Sequence, residues 1–240
     1  MARISSHILI HSRESRILAE RLLLPKQQTP ITYIEHVNYI GCYRKQNGTQ
    51  LREKLKIDKN CFLFLFTGSI CPYKNIEFMI RAFKKAALPN AVLLIAGRAQ
   101  DESYAEHLSA MIGNDPSILF ENGYIPDNRM YAYLNAANVM ILPHSKASTL
   151  NSGMMIMAFS YALPVITTDI AMAADFPSDV LYQYTYHSPA EKLSNLTDAI
   201  ITAYSAGVEK NHQMGLTAQK LMKTQYSVPA ISEKLASIYQ

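Results

Sequence analysis

From Cys61 onward the chain alternates short apolar runs with longer stretches in which apolar residues return every three or four positions. Phe62 to Thr67 (FLFLFT) and Ala91 to Ala96 (AVLLIA) are unbroken apolar runs, the pattern of strands buried on both faces. Between them Ile76, Met79, Ile80 and Phe83 recur at helical spacing. The pattern then predicts a helix from Asp101 to Ile112, a strand at Ile118 to Phe120, and a helix capped by Asp127 that runs to Ala137. Further strands are expected at Val139 to Leu142, Leu163 to Thr167 and Val180 to Tyr184. Helices fill the rest, from Pro189 to Ala206, from Asn211 to Gln225, and from Pro229 onward. Strands and helices alternating at these lengths build βαβ units, hence an α/β fold with a parallel sheet and right-handed crossovers.

The first sixty residues are less regular. Ser6 to Ser12 (SHILIHS) alternates like a strand, and Glu14 to Leu24 reads as a basic amphipathic helix with Arg13, Arg16 and Arg21 as solvated charges. Pro25 to Pro30 is a break, Ile31 to Glu35 a short strand, and HVNYIGCY leads into a polar loop through Asn47-Gly48. These pieces are too small to form a core of their own.

One stretch organises the remainder. Ser148 to Ile166 opens with Ser148, Thr149, Asn151, Ser152 and Gly153 and continues as an apolar run from Met154 to Ala162. Small polar residues ahead of a helical run supply a cap. A helix that is apolar nearly all round is expected to be buried. Its free first-turn N–H groups and the positive end of its dipole then suit a phosphate. In parallel sheets ligands sit beyond the carboxyl ends of the strands. Those ends are Gly68-Ser69, Gly97-Arg98, Gly123-Tyr124, Pro143-His144 and Thr167-Thr168-Asp169, three of them bearing a glycine that permits close backbone approach.

Composition narrows this little. A length of 240 residues holds one large domain or two small ones, and a formal charge of +4 demands neither nucleic acid nor an acidic membrane. Cys42, Cys61 and Cys71 lack zinc-like spacing and favour a reducing compartment, and no apolar run approaches a membrane span. The expected location is cytoplasmic, with peripheral attachment at the inner face of the membrane as the variant. No repeat or low-complexity segment is present.

Candidate chemistry is sparse. GSICPYKN (Gly68 to Asn75) joins a strand to a helix without the GxxxxGK[ST] spacing of a P-loop. Lys74, near a strand's carboxyl end, can meet a phosphate as a point charge; taken alone, it reads as a solvated loop lysine, and Arg98 shares the ambiguity. His36, His107, His144 and His212 have no metal spacing, and none is expected. His144 lies at a strand's carboxyl end, where an acid–base or hydrogen-bonding role competes with that of a loop or capping residue. Asp169 and Asp175 read as solvated loop carboxylates. The absence of G-x-S-x-G argues against a serine hydrolase.

Taken in order, these elements resemble the C-terminal domain of GT-B-fold glycosyltransferases that use nucleotide-diphosphate sugars. Gly68 and Lys74 fall on that group's G-R-x(4)-K-G pattern, Gly97 on a later strand-end glycine, and FENGYI places Gly123 and Ile125 where the group holds the nucleotide base. LNAANVMILPHS matches l-x-x-A-d-v-x-[IVL]-x-P-S, and TLNSGMMIMAFSYALPVI matches E-x-F-G-x(3)-E-A-M-A-x-G-x-P-V-I. The match runs from about residue 60 to about residue 170.

The resemblance implies a doubly wound Rossmann-like parallel sheet forming one half of a GT-B architecture. Residues 1–45 would be a remnant of the N-terminal domain and the interdomain linker, with His36 near the hinge, and residues 46–240 the donor-binding domain. It implies a hexosyltransferase that takes a nucleotide-diphosphate sugar as donor substrate, with no cofactor and no nucleic acid, and passes the sugar to a saccharide or lipid-linked acceptor. This chain alone would be inactive or incomplete, its partner a missing N-terminal domain or a second copy. Lys74, through the resemblance, and His144, from its place at a strand's carboxyl end, are the candidate catalytic groups. The donor would meet Gly68, Ser69, Gly97, Arg98, Gly123, Tyr124 and Ile125, and also Thr149, Asn151, Ser152, Gly153 and Met154.

The chain departs from the pattern at four places. The two glutamates of E-x(7)-E fall at Thr149 and Met157, Ser69 replaces the arginine, and Asn75 replaces the glycine after Lys74. Methionine cannot accept ribose hydroxyls, so donor binding would use other groups. The Pro-Tyr-Lys turn and the Asn-Ser-Gly helix start are similar to a divergent branch of bacterial exopolysaccharide and capsule transferases, which leaves retaining and inverting chemistry both open. Two rival readings stand beside the transferase. One is a non-catalytic pseudo-glycosyltransferase or partner-binding subunit. The other is an unrelated doubly wound nucleotide-binding protein, for which no GxGxxG follows the first strand.

Overall fold

A computed structural model describes residues 6–22, 29–145 and 150–238. Six parallel strands form the central sheet: β3 (Phe62–Thr67), β4 (Ala91–Gly97), β5 (Ile118–Asn122), β6 (Val139–Leu142), β7 (Val165–Thr168) and β8 (Leu181–Tyr184). Their order is β5-β4-β3-β6-β7-β8, so the winding reverses between β3 and β6. Neighbouring crossovers leave opposite faces at such a point and open a crevice beyond the strand ends. The short strands β6 and β7, four residues each, are buried along their whole length.

The helices cover both faces. Phe64, Phe66, Leu93, Ile95 and Ile141 meet α3 (Ile76–Ala86), α4 (Glu102–Ile112) and the first half of α7 (Pro189–Thr224) on one side. Leu63, Leu65, Met140 and Leu142 meet α2 (Gly48–Lys54), α5 (Asp127–Ala136) and α6 (Gly153–Ser160) on the other. The second half of α7 joins this second face through Ala218 and Met222.

α7 changes sides because it is broken at Gly207, whose φ of 77° and ψ of 171° lie far from helical values. Only glycine adopts such a backbone without strain. A break also orphans carbonyls, and the fully buried Asn211 repairs it: its Nδ2 donates to Ala203 O at 2.8 Å and Gly207 O at 2.7 Å, while its Oδ1 accepts from the Tyr182 hydroxyl at 3.0 Å.

Three expectations need correction. Pro126, not Asp127, is the N-cap of α5; Asp127 is its first helical residue, where a carboxylate still favours the dipole. The polar stretch after Asn47 is not all loop. Asn47 Oδ1 caps α2 by accepting from Thr49 N at 2.9 Å, and Arg52 Nε ties α2 to Ala136 O at 2.9 Å. Asp175 is not solvated: its carboxylate is buried, accepts from the Arg13 backbone N–H at 3.2 Å and pairs with the Arg13 guanidinium at 3.5 Å. Burial pushes its carboxyl above the ordinary range, and the Arg13 contacts pull it part of the way back.

The N-terminal segment is a separate unit of two parallel strands, β1 (Ile8–Ile10) and β2 (Ile31–Tyr33), with α1 (Ser15–Leu22) between them. It leans on the far end of the chain. Glu35 pairs with Lys234 on α8 (Val228–Ala236), and Asn38 bonds to Tyr226 O and Met222 O. The strap that follows lies along α6, with Tyr39 N donating to Ser160 Oγ at 2.9 Å and the Tyr161 hydroxyl to Tyr39 O at 2.7 Å.

Candidate functional site at the sheet switch point

The crevice between β3 and β6 gathers most of the residues singled out from the sequence. A cleft of about 540 Å³ is lined by Lys74 and Tyr73 after β3, His144 after β6, and Asn151, Ser152, Gly153 and Met154 at the start of α6. A second hollow of about 270 Å³ adjoins it, lined by Gly68, Ser69, Gly97, Arg98, Tyr124 and Ile125. Gly68 is the shared wall, since a Cβ placed there would lie 3.6 Å from both Lys74 Nζ and Met154 Sδ. Gly123 is bonded through its N–H to Gly97 O at 2.9 Å and has open space on its Cβ side. Thr149 falls outside the described residues.

Local chemistry explains how each group is held. Ser152 is the N-cap of α6, its hydroxyl accepting from Met155 N at 3.3 Å, so the helix presents the N–H groups of Gly153 and Met154 with no intrahelical acceptor. Asn75, standing where the resemblance expects glycine, sits at φ 56° and ψ 40°. Asparagine enters that left-handed region more readily than most other non-glycine residues, and its Nδ2 secures the turn to Pro143 O at 3.1 Å. The replacement therefore keeps the turn that aims Lys74.

Lys74 is buried, at 8% exposure, and its Nζ donates to Ser69 Oγ at 2.9 Å. Burial pulls its pKa below the ordinary 10.5, with only the Cys71 thiol opposing. No carboxylate lines either hollow among the described residues, so the buried ammonium faces a site without a counter-charge. Arg98 adds an exposed guanidinium at the rim of the second hollow.

His144 is 4% exposed, with Nε2 at 3.5 Å from Ser152 Oγ and Nδ1 lacking a partner among the described residues. Burial, then Lys74, then Lys192 push its pKa down to about 4, so the ring is neutral at pH 7. Lys192, on α7, had no sequence signal to separate it from solvated lysines. It is buried with its Nζ 4.7 Å from the Phe78 ring centre and 4.9 Å from that of Tyr186. Met157, at the second glutamate position, is buried in the core and offers the cleft nothing.

A histidine kept neutral by burial stabilises the fold fully above its unfolded value of 6.5, and that contribution is lost as pH falls through about 4. The loss amounts to about 3 kcal/mol when the fall is complete. Urea unfolding between pH 7.5 and 4.5 should therefore show the wild type losing stability more steeply than His144→Gln; parallel slopes would mean that the ring takes up its proton in the folded state as readily as in the unfolded chain.

Among the described residues no cluster of three or more His, Cys, Asp or Glu is placed to hold a metal, and no helix is long and apolar enough to cross a membrane. What the cleft offers is backbone N–H groups, an uncompensated ammonium, a neutral imidazole and an apolar hollow floored by glycines. Those are the requirements of a phosphate with a flat ring attached.

Comparison with known proteins agrees with this geometry. Residues 47–221 match the model of the family described as glycosyl transferases group 1. The lipopolysaccharide 1,2-N-acetylglucosaminetransferase of Salmonella typhimurium is 23% identical over 203 residues, covering 80% of this chain and 51% of that protein. Thus the chain spans about half the length of the curated relative it matches. Anabaena Alr3699/HepE, solved in complex with UDP, superposes with a TM-score of 0.81 at 16% identity, over 99% of this chain and 64% of that one. The C-terminal domain of a glycosyl transferase group 1 family protein (LpcC) from Francisella tularensis gives 0.62 at 18% identity, over 78% of this chain and 96% of that one.

Proposed function

The chain belongs to the group 1 glycosyl transferases, and from that premise we propose that its switch-point cleft binds the nucleotide-diphosphate sugar from which the family transfers its sugar. The observation that carries the reading is Lys74: a buried ammonium, hydrogen-bonded among the described residues only to a neutral hydroxyl, opposite the open end of a buried helix. The diphosphate lies on the first turn of α6 with Lys74 beside it, and the base enters the hollow of Gly97, Arg98, Tyr124 and Ile125. As the bond from sugar to phosphate breaks, negative charge gathers on the departing phosphate. The ammonium and the helix dipole are already aimed there. His144, being neutral, can hydrogen-bond donor oxygens without competing for that charge.

Residues 46–240 are the donor-binding domain in this reading, and residues 1–45 border the part of the enzyme that holds a saccharide or lipid-linked acceptor. The separate two-stranded sheet and the start of the family match at residue 47 support the division. Ribose hydroxyls are met by groups other than a carboxylate at position 157, which is Met. That same methionine favours a second reading, in which the fold persists as a non-catalytic donor-binding subunit.

Isothermal calorimetry with UDP, GDP and their sugars, with AMP and NAD as controls, tests the proposal. Saturable binding of one nucleotide diphosphate, with silence from the controls, is the expected outcome. A folded chain that binds none of them would sink it.

A further inference from the structure

The anion site has a side that neither the strand ends nor α6 supplies. Gly153, the first residue of α6, lines the cleft, and a Cβ built on it would lie 3.2 Å from the Tyr39 hydroxyl and 3.9 Å from His36 Nε2. Both tips come from the strap after β2, well over a hundred residues away in sequence. The strap's backbone is anchored at the other end of the same helix, through Tyr39 N to Ser160 Oγ. Tyr39 therefore lies along α6, and its phenol stops beside the helix's N-terminal residue.

His36 is oriented with equal definition. Its Nδ1 is 2.8 Å from Val37 O, and a carbonyl can only accept, so the proton of the neutral ring is on Nδ1 and Nε2 is the free edge. The ring stacks on Tyr39 with centroids 5.6 Å apart, and His11 packs behind it at 5.5 Å. His11 is fixed in the same way, with Nδ1 2.8 Å from Ile34 O. Among the described residues neither histidine has an ion-pair partner. The groups facing His36 are thus His11, Tyr39 and the start of α6, with Lys74 and the neutral His144 lining the same cleft.

We propose that His36 and Tyr39 close the donor-diphosphate site from the strap side, Tyr39 donating its hydroxyl and His36 its Nε2 proton to phosphate oxygens seated on the first turn of α6. The proposal rests on the donor-site reading above. A phosphate oxygen gives a bare Nε2 nothing to accept, so the contact requires a proton on that nitrogen. Wherever Nε2 is bare beforehand, donor binding is therefore accompanied by proton uptake at the ring, and Nδ1–H keeps its bond to Val37 O throughout. With Nε2 protonated the contact is charge-assisted, which makes it the stronger of the two. Glycine at 153 is what lets the strap's two polar tips come this close to the first turn of α6.

The experiment is calorimetric titration of the 240-residue chain with UDP, GDP and inorganic pyrophosphate, each in two buffers of different ionisation enthalpy at one pH. Wild type, His36→Ala, His36→Lys and Tyr39→Phe are compared, with uridine and guanosine as probes that carry no phosphate. His36→Ala should bind the responding diphosphate about tenfold more weakly, Tyr39→Phe about threefold, and His36→Lys should recover most of the loss. Proton uptake should be larger for wild type than for His36→Ala, a difference from which the nucleotide's own titration cancels. Nucleoside affinity should not change. If wild type binds while the variants match it in affinity and proton uptake, the strap residues are only structural and the inference falls alone. If His36→Ala weakens nucleoside and diphosphate equally, the strap merely holds the fold and the inference again falls. A wild type silent toward every probe overturns both this and the donor-site reading.

Discussion

Lys74→Met should lose about a hundredfold in affinity for the nucleotide diphosphate that the chain binds, and should melt a few degrees higher than wild type. The two effects have one cause. Lys74 is nine-tenths buried, its ammonium hydrogen-bonds, among the described residues, to Ser69 alone, and burial has already moved its pKa down. A charge buried without a counter-charge is a standing cost to the protein. Methionine has similar length and no charge, so the substitution relieves that cost; for a chain of this size about 1 kcal/mol corresponds to roughly 2–4 °C in Tm. On binding the balance reverses, because a charge-assisted hydrogen bond is worth about 1.5–3 kcal/mol. Calorimetry with the diphosphate and with its nucleoside, beside a thermal melt, separates the possibilities. Equal losses for nucleotide and nucleoside would remove Lys74 from the diphosphate.

Gly97→Ala is expected to damage fold and site together. The added Cβ would sit 1.8 Å from Gly68 O, at a φ of +156°, where both strands present backbone rather than a side chain that can turn aside. Overpacking and backbone strain of this kind cost about 2–4 kcal/mol together. The ends of β3 and β4 must part, and the hollow they floor is the one assigned to the base. Urea unfolding should show the loss of stability, and nucleoside affinity should fall as far as nucleotide affinity, unlike the selective loss from Lys74→Met. Gly123→Ala is the matched control, since its Cβ would meet nothing within 4 Å. A stable Gly97→Ala with unchanged binding would show that the strand ends yield freely.

The sheet was legible because its strands are buried on both faces, and double burial writes itself as unbroken apolar runs such as Phe62 to Thr67. The buried α6 was legible for the related reason that it is apolar nearly all round, from Met155 through Phe159. α2 was not, because GTQLREK contains a single large apolar residue, Leu51, and is held by a side-chain cap and by Arg52 bonds to distant carbonyls. The walls of the cleft followed from strand ends and a helix start, which are local features. The positions of Tyr39 and His36 against Gly153 did not, since contacts across more than a hundred residues leave no periodic trace. Lys192 and Asp175 were missed similarly: a buried lysine between two rings and a carboxylate braced by Arg13 look, in sequence, like any surface charges.

The break in α7 has a thermodynamic consequence. Leu196, Ile200 and Ala203 before Gly207 belong to the core on one face of the sheet, and Ala218 and Met222 after it belong to the core on the other. Asn211 bonds back across the break from the second half, so neither half can detach without stranding buried carbonyls or a buried amide. A six-stranded sheet with separate helices on each face could release one layer while keeping the other. Here one helix is a member of both layers, which couples their opening and makes the two cores a single cooperative unit.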